Sequence, residues 1–255
     1  MNIKYITCSD PREFNDIHDI VNLAQLSPRV EIAIQAHPSK MSPGMPRYQW
    51  ANELIKFVKG LRFYTSRNIN LAIHVNQEWC AEICKTGKLP AELQTILSQR
   101  YTRFPCSPVI KRIQLNIPVD AISQANTVNM ANMIDDNRDY GFIIQYNNNT
   151  AGLVQKLNKF YLPFSSLYDA SGGRGILPQQ WCPPAFRYRD QGYSGGLSPE
   201  NVAENLDKIS AVVPKNNNVW IDAEGKLKTN DRFDVARAKQ YVINVENWIS
   251  KQNQR

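Results

Sequence analysis

GYSGGLSPENV, Gly192 to Val202, reads as the end of a buried strand, a bare glycine pair and the start of a helix. Tyr193 and Ser194 finish the strand, and Gly195 and Gly196 let another group approach the backbone. Ser198-Pro199 is expected to supply the N-cap and the first helical position. Unpaired N–H groups at such a helix start face an anion. A glycine pair before a helix is also an ordinary tight connection, so the rest of the chain must decide between the two.

A second junction follows at once. VWIDAEGKL, Val219 to Leu227, reads as a strand that breaks at Gly225, and an amphipathic segment begins near Asp231. Two successive strand-glycine-helix junctions at the end of a chain this long are where a (β/α)8 barrel places a phosphate site, in the loops after strands seven and eight. Phosphate is therefore the expected anionic group of the ligand.

Upstream, short apolar runs alternate with helical patterns, which implies parallel strands joined by crossover helices. The runs are Ile3 to Cys8, Arg29 to His37, Ile69 to Val75, Val109 to Ile117, Tyr140 to Tyr146 and Ser165 to Ala170. With the two junctions above they make eight strands, and a helix is expected after each. The fold class is α/β: one (β/α)8 (TIM) barrel, a single domain over residues 1–255, with extended loops after strands three and six. The loop after strand six holds three prolines and few periodic apolar residues, which suits a binding loop.

Composition narrows the partners. There are 30 Lys and Arg against 23 Asp and Glu, a net charge of +7, and no run of five or six basic residues. That balance favours an anionic small molecule over nucleic acid. Five cysteines without a CxxC pair make no disulfide framework. Cys80 and Cys84, four apart on a helix, read as small buried side chains before they read as a metal pair. With no apolar run long enough to span a bilayer and no apolar leader, the expectation is a soluble cytoplasmic protein without a membrane partner. Oligomeric state is not legible.

In this fold the C-terminal ends of the strands build the active site. Those ends carry Cys8, His37, His74 with Asn76, Gln114 with Asn116, Gln145, Asp169, Ser194 and Asp222. Substrate contacts are expected from His37, His74, Asn76, Gln114 and Asn116, and phosphate contacts from Gly172, Gly173, Gly195, Gly196 and Gly225.

At this point the chain resembles phosphoribosylanthranilate isomerase, an enzyme of tryptophan biosynthesis. LAIHVNQ is similar to that family's third strand, IQLN to its fourth-strand VQLHG, and LYDASGGRG to its strand-six aspartate and glycine-rich loop. SGGLSPENV is close to AGGLNPENV, and IDAEG stands where VSSGVE would. The resemblance implies a cofactor-free Amadori rearrangement, an aldose amine becoming a ketose amine. It further implies Cys8 as general base, Asp169 as general acid and Arg47 as a substrate-holding residue, with no resident metal. The chain departs from the family in Ser9, Asp10 and Pro11 after the cysteine. It also carries Ala223 and Glu224 before Gly225, where a carboxylate repels phosphate unless it turns away or pairs with Lys226.

Two other readings stay open. LAIHV is also similar to the third strand of ribulose-phosphate 3-epimerase, which would make His37, His74 and Asp169 metal ligands. A barrel that binds an acidic ligand without turnover is the other, since fold does not dictate function. A Schiff-base aldolase lacks its lysine at strand six.

Overall fold

The computed structural model describes residues 1–61, 68–102 and 106–254. Eight parallel strands close into a barrel in chain order. They are β1 (Asn2–Ser9), β2 (Val30–Ala36), β3 (Asn70–Val75), β4 (Ile110–Leu115), β5 (Gly141–Tyr146), β6 (Phe164–Tyr168), β7 (Gln191–Ser194) and β8 (Asn218–Ala223), with β8 returning to β1. Strands buried on both faces read as near-continuous apolar runs, which is why all eight were visible in the sequence. The fold is a (β/α)8 barrel.

Helices cover the outside: α1 (Ile17–Ala24), α2 (Pro38–Met41), α3 (Pro46–Leu61), α4 (Gln77–Thr86), α5 (Ala91–Leu97), α6 (Thr127–Asp136), α7 (Ala151–Asn158), α8 (Val202–Val212) and α9 (Val235–Gln252). A large apolar cluster lies between them and the strands and includes Ile6, Ile32, Leu54, Ile83, Ile113, Leu206 and Trp248. Asp16, Asn126 and Asp234 cap α1, α6 and α9 by accepting from backbone N–H groups of the first turn. All five cysteines are free thiols, and Cys80 and Cys84 are buried on α4. Among the described residues, no helix is long and apolar enough to cross a membrane.

Three local expectations are corrected. Helix α8 begins at Val202, not at Pro199, because the Asn201 side chain accepts from the Ser198 N–H at 2.9 Å and donates to the Gly196 carbonyl at 3.0 Å, folding 198–201 into a turn. No helix follows β6 among the described residues; the connection over 169–190 is irregular and is pinned by aromatic rings instead. In it Trp181 packs edge-on against Tyr168 and Tyr193 and donates to Asn205 of α8 at 2.9 Å. The third correction is a short hairpin, β9 (Lys228–Thr229) with β10 (Arg232–Phe233), between β8 and α9.

Side chains of a strand alternate between barrel interior and helix layer, so parity decides which residues reach the mouth. On β1 the inward set is Tyr5, Thr7 and Ser9. Thr7 donates to Glu31 at 2.9 Å, Ser9 to Asp222 at 2.6 Å, and the Tyr5 ring lies 4.2 Å under the Arg112 guanidinium. Ile6 and Cys8 therefore face outward into the large apolar cluster.

The interior holds a small apolar layer of Ile143, Leu167 and Trp220 with Tyr5. Gly192 is required here, since a Cβ on it would fall 2.2 Å from the Trp220 indole. Beside that layer, Arg112 of β4 forks onto Glu31 of β2 through Nε at 2.7 Å and Nη2 at 2.6 Å, both residues being buried. Trp220 covers the guanidinium from another side at 4.5 Å. A buried pair of this geometry is neutral as a unit, but either partner alone is an uncompensated charge. Arg112→Met should lower unfolding free energy by about 3–5 kcal/mol in urea, and adding Glu31→Leu should recover most of that loss.

Candidate functional site

The barrel mouth has two lobes that share Asn116, Gln145, Gly173 and Glu224. The first encloses about 660 Å³ of empty space, part of it open to solvent, between β3–β6 on one side and the loops after β7 and β8 on the other. It gathers His74, Gln114, Asp169, Ser194 and Asp222, with Gly195, Gly196, Gly225, Arg174 and Lys226 at its rim. The second, about 1410 Å³ and more open, holds His37, Arg47, Asn76 and Gly172 with Arg12 and Lys40.

Cys8 lies in neither lobe. Its thiol is fully buried on the outer face of β1, and burial, reinforced by the nearby negative charges of Asp222 and Glu31, pushes its pKa far above the ordinary thiol value. A group so placed stays protonated and cannot reach a ligand in the mouth. The residue that occupies the corresponding inward position is Ser9.

Asp169 does reach the first lobe, but four donors occupy its carboxylate. They are Gln145 Nε2 at 3.0 Å, the Ser171 N–H at 3.1 Å, the Ser171 hydroxyl at 2.7 Å and the Gly173 N–H at 2.5 Å. The Gly172 N–H goes to the Asp169 carbonyl at 3.1 Å. Asp169 thus folds the start of the strand-six connection, and the amides of Gly172 and Gly173, expected to hold a phosphate, are spent on it. Gly195 and Gly196 sit in the left-handed region, and the same connection packs on them. A Cβ at Gly195 would lie 2.9 Å from the Ile176 carbonyl oxygen, and one at Gly196 would lie 2.8 Å from the Leu177 nitrogen. Gly225 has open space beside it.

Arg47 is buried and committed to acids of its own chain, Glu13 at 3.2 Å and Asp10 at 3.6 Å. Asp10 is the hub of the second lobe, a buried aspartate in the left-handed region that also pairs with Arg12 and, at 2.7 Å, with Lys228. Burial works against its charge, but the hydrogen bonds and charges of Arg12 and Lys228 prevail and hold its carboxyl below the usual range. His37 precedes α2 without a side-chain capping bond and meets the Ser39 hydroxyl at 3.0 Å. Burial, followed by the charges of Arg47 and Lys40, lowers its pKa. With His37 in one lobe and His74 and Asp169 in the other, the set proposed as metal ligands is divided. Among the described residues, no group of three or more His, Cys, Asp or Glu side chains is arranged to hold a metal ion.

Two groups of the first lobe stand out electrostatically. Asp222, at the C-terminal end of β8, has its pKa raised to about 7, chiefly by burial and then by the charges of Glu224 and Glu31, against the Ser9 hydrogen bond and the Arg112 charge. His74 is lowered to about 3, first by burial and then by Arg112. Near neutral pH the mouth therefore contains a half-ionised carboxylic acid and a neutral imidazole, groups matched to proton transfer. Asp222 is recognisable in the sequence as a strand end without a role, since the burial and the acids that shift it come from the fold. Glu224 turns toward the second lobe and pairs with Lys228 at 3.0 Å, not with Lys226.

No family model matches the chain, and no curated protein matches it. Among solved structures, one similar chain comes from the tryptophan synthase a2b2 complex of the hyperthermophile Pyrococcus furiosus. The two are 11% identical with a TM-score of 0.47, over 96% of this chain and 98% of that one.

The two shifts pull stability in opposite directions. Asp222, moved from 3.8 to about 7, stabilises the fold fully below pH 3.8 and loses that contribution as pH rises through about 7. His74, moved from 6.5 to about 3, contributes fully above pH 6.5 and loses it as pH falls through about 3. Between 3.8 and 6.5 the slopes cancel. Urea unfolding of Asp222→Asn at about pH 4.5 and about pH 6 should show stability rising by about 2 kcal/mol, relative to the wild-type change, because His74 is then unopposed. His74→Gln should show the reverse slope.

Proposed function

We propose that this barrel is a cofactor-free isomerase of a phosphorylated sugar derivative, with Asp222 as the group that moves the proton. The observation that carries the reading is a buried carboxyl at a barrel strand end, with a pKa of about 7, in the same lobe as the glycine-bearing loops after β7 and β8. A pKa at working pH populates acid and base forms together, and a single group can then serve in both directions. On an aldose amine, protonated Asp222 delivers its proton to the ring oxygen as the ring C–O bond breaks, leaving an iminium. The carboxylate so formed withdraws the proton from C2 and returns to its acid form, and the resulting enolamine relaxes to the ketose amine.

Other residues hold and polarise. The His74 imidazole lines the lobe, is neutral at this pH and can donate to oxygen without itself ionising. Lys226 and Arg174, which line the same lobe as Gly225, supply positive charge for the phosphate. Asp169 positions the strand-six connection, and Ser9 orients the Asp222 carboxyl. Cys8 has no part.

A second reading, binding without turnover, draws on one observation: the strand-six acid, Asp169, is held by four donors of its own chain. Thermal melting with inorganic phosphate and a panel of phosphorylated aldoses and aldose amines separates the two. A ligand at a hundred times its dissociation constant adds about 2.7 kcal/mol, and Gly225→Asp, whose Cβ meets nothing within 4 Å, should abolish that shift. Asp222→Asn should lower turnover about 10²–10⁴-fold with the melting shift retained, whereas Cys8→Ala should leave turnover unchanged. A melting shift with no turnover of any panel member favours the binding reading. Loss of turnover in Cys8→Ala with the fold intact overturns the assignment of Asp222.

A further inference from the structure

A chain of side-chain amides runs across the mouth, and its direction is fixed at one end. Glu224 Oε2 accepts from Gln35 Nε2 at 2.8 Å, and a carboxylate has only acceptors to offer, so Gln35 must turn its NH2 toward it. Gln35 Oε1 then accepts from Asn76 Nδ2 at 2.6 Å, Asn76 Oδ1 from Asn116 Nδ2 at 2.9 Å, and Asn116 Oδ1 from Gln114 Nε2 at 2.9 Å. Each amide inherits its orientation from the one before.

The chain closes on His74. The second N–H of Gln35 points at His74 Nδ1 from 3.4 Å and the second N–H of Gln114 from 3.3 Å, which makes Nδ1 the acceptor and leaves the ring proton on Nε2. Two atoms are left over: His74 Nε2–H, a donor, and Gln114 Oε1, an acceptor. Both are buried and lack a partner, on side chains 1% and 2% exposed. The two residues are register partners on β3 and β4, and both line the first lobe. Buried polar atoms are almost always satisfied, so an unpaired donor and an unpaired acceptor on neighbouring strands, both on residues that line the lobe, point to the kind of group that would pair with them.

We propose that this pair is a subsite for a hydroxyl group of the ligand's neutral polyol segment, which accepts from His74 Nε2–H and donates to Gln114 Oε1, with Glu224 setting the polarity as a positioning residue. A phosphate dianion or a carboxylate cannot donate to Gln114, and an ammonium cannot accept from His74, so a fully ionised group belongs elsewhere. The proposal rests on the sugar-type ligand of the preceding section and names how its uncharged part is held.

The protein has three histidines, so the imidazole nitrogens can be followed individually by 15N NMR. In the wild type His74 should be the neutral Nε2–H tautomer, and Glu224→Gln, which can offer Gln35 either end of its amide, should release that preference. Ribose 5-phosphate should shift the His74 Nε2 signal. Gln114→Met should weaken it roughly ten- to a hundredfold while leaving inorganic phosphate binding unchanged. The subsite is overturned if His74 carries its proton on Nδ1, or if ribose 5-phosphate binds without moving the His74 signals. If neither phosphate compound binds, the phosphate reading falls and ribitol decides the subsite. A ribitol-induced shift at His74 sustains it, and no shift leaves an ordinary bound water and removes it.

Discussion

The ion pair between Glu31 and Arg112, buried inside the barrel, sets the conditions for everything above it. A (β/α)8 barrel usually fills its interior with branched apolar side chains; here a small apolar cluster of Ile143, Leu167 and Trp220 with Tyr5 shares the interior with a bidentate ion pair. The pair ties β2 to β4 across β3, and its aromatic cover excludes water from the floor of the mouth. In so dry a place charges act at longer range than in water. Arg112 is second only to burial in keeping His74 neutral, and Glu31 adds to the forces that keep Asp222 protonated.

The chemistry of the mouth follows from that floor and from the acids around it. Two groups with ordinary pKa values on either side of 5 are moved past each other, the carboxyl upward and the imidazole downward. Such inversion is how one fold supplies an acid and a neutral hydrogen-bond donor at the same pH. Glu224, which from the sequence threatened an anion site, instead turns toward Gln35 and Lys228. There it orders a line of amides. Asp10 draws the neighbouring cations Arg12, Arg47 and Lys228 onto itself, so the second lobe is charged but largely self-neutralised.

The strands were legible because burial on both faces leaves an apolar run whatever the details, and the closed order follows from eight strands with crossovers. Parity was not legible for the same reason. In Ile3 to Cys8 both faces are apolar, and nothing in the letters says that Tyr5 rather than Ile6 turns inward. The inward set meets partners far along the chain, Tyr5 on Arg112, Thr7 on Glu31 and Ser9 on Asp222. That single parity moved the strand-one end from Cys8 to Ser9. His74, Gln114, Asn116 and Asp169 line the mouth, and Asp169 is saturated by its own loop. Asp222 gained its role only from burial beside Glu31 and Glu224. The missing helix after β6 could not be seen, since aromatic pinning by Trp181 leaves no periodic pattern.

The central claim is that Asp222 titrates near neutrality. A 13C titration of the aspartate carboxyl groups, assigned by comparison with Asp222→Asn, measures that directly. The account predicts one buried aspartate with a midpoint near pH 7, moving downward when Glu31 is replaced by Gln in a protein that remains folded. A midpoint for Asp222 near the ordinary value of 3.8 would contradict it, leaving that carboxyl fully ionised and unable to give a proton at neutral pH.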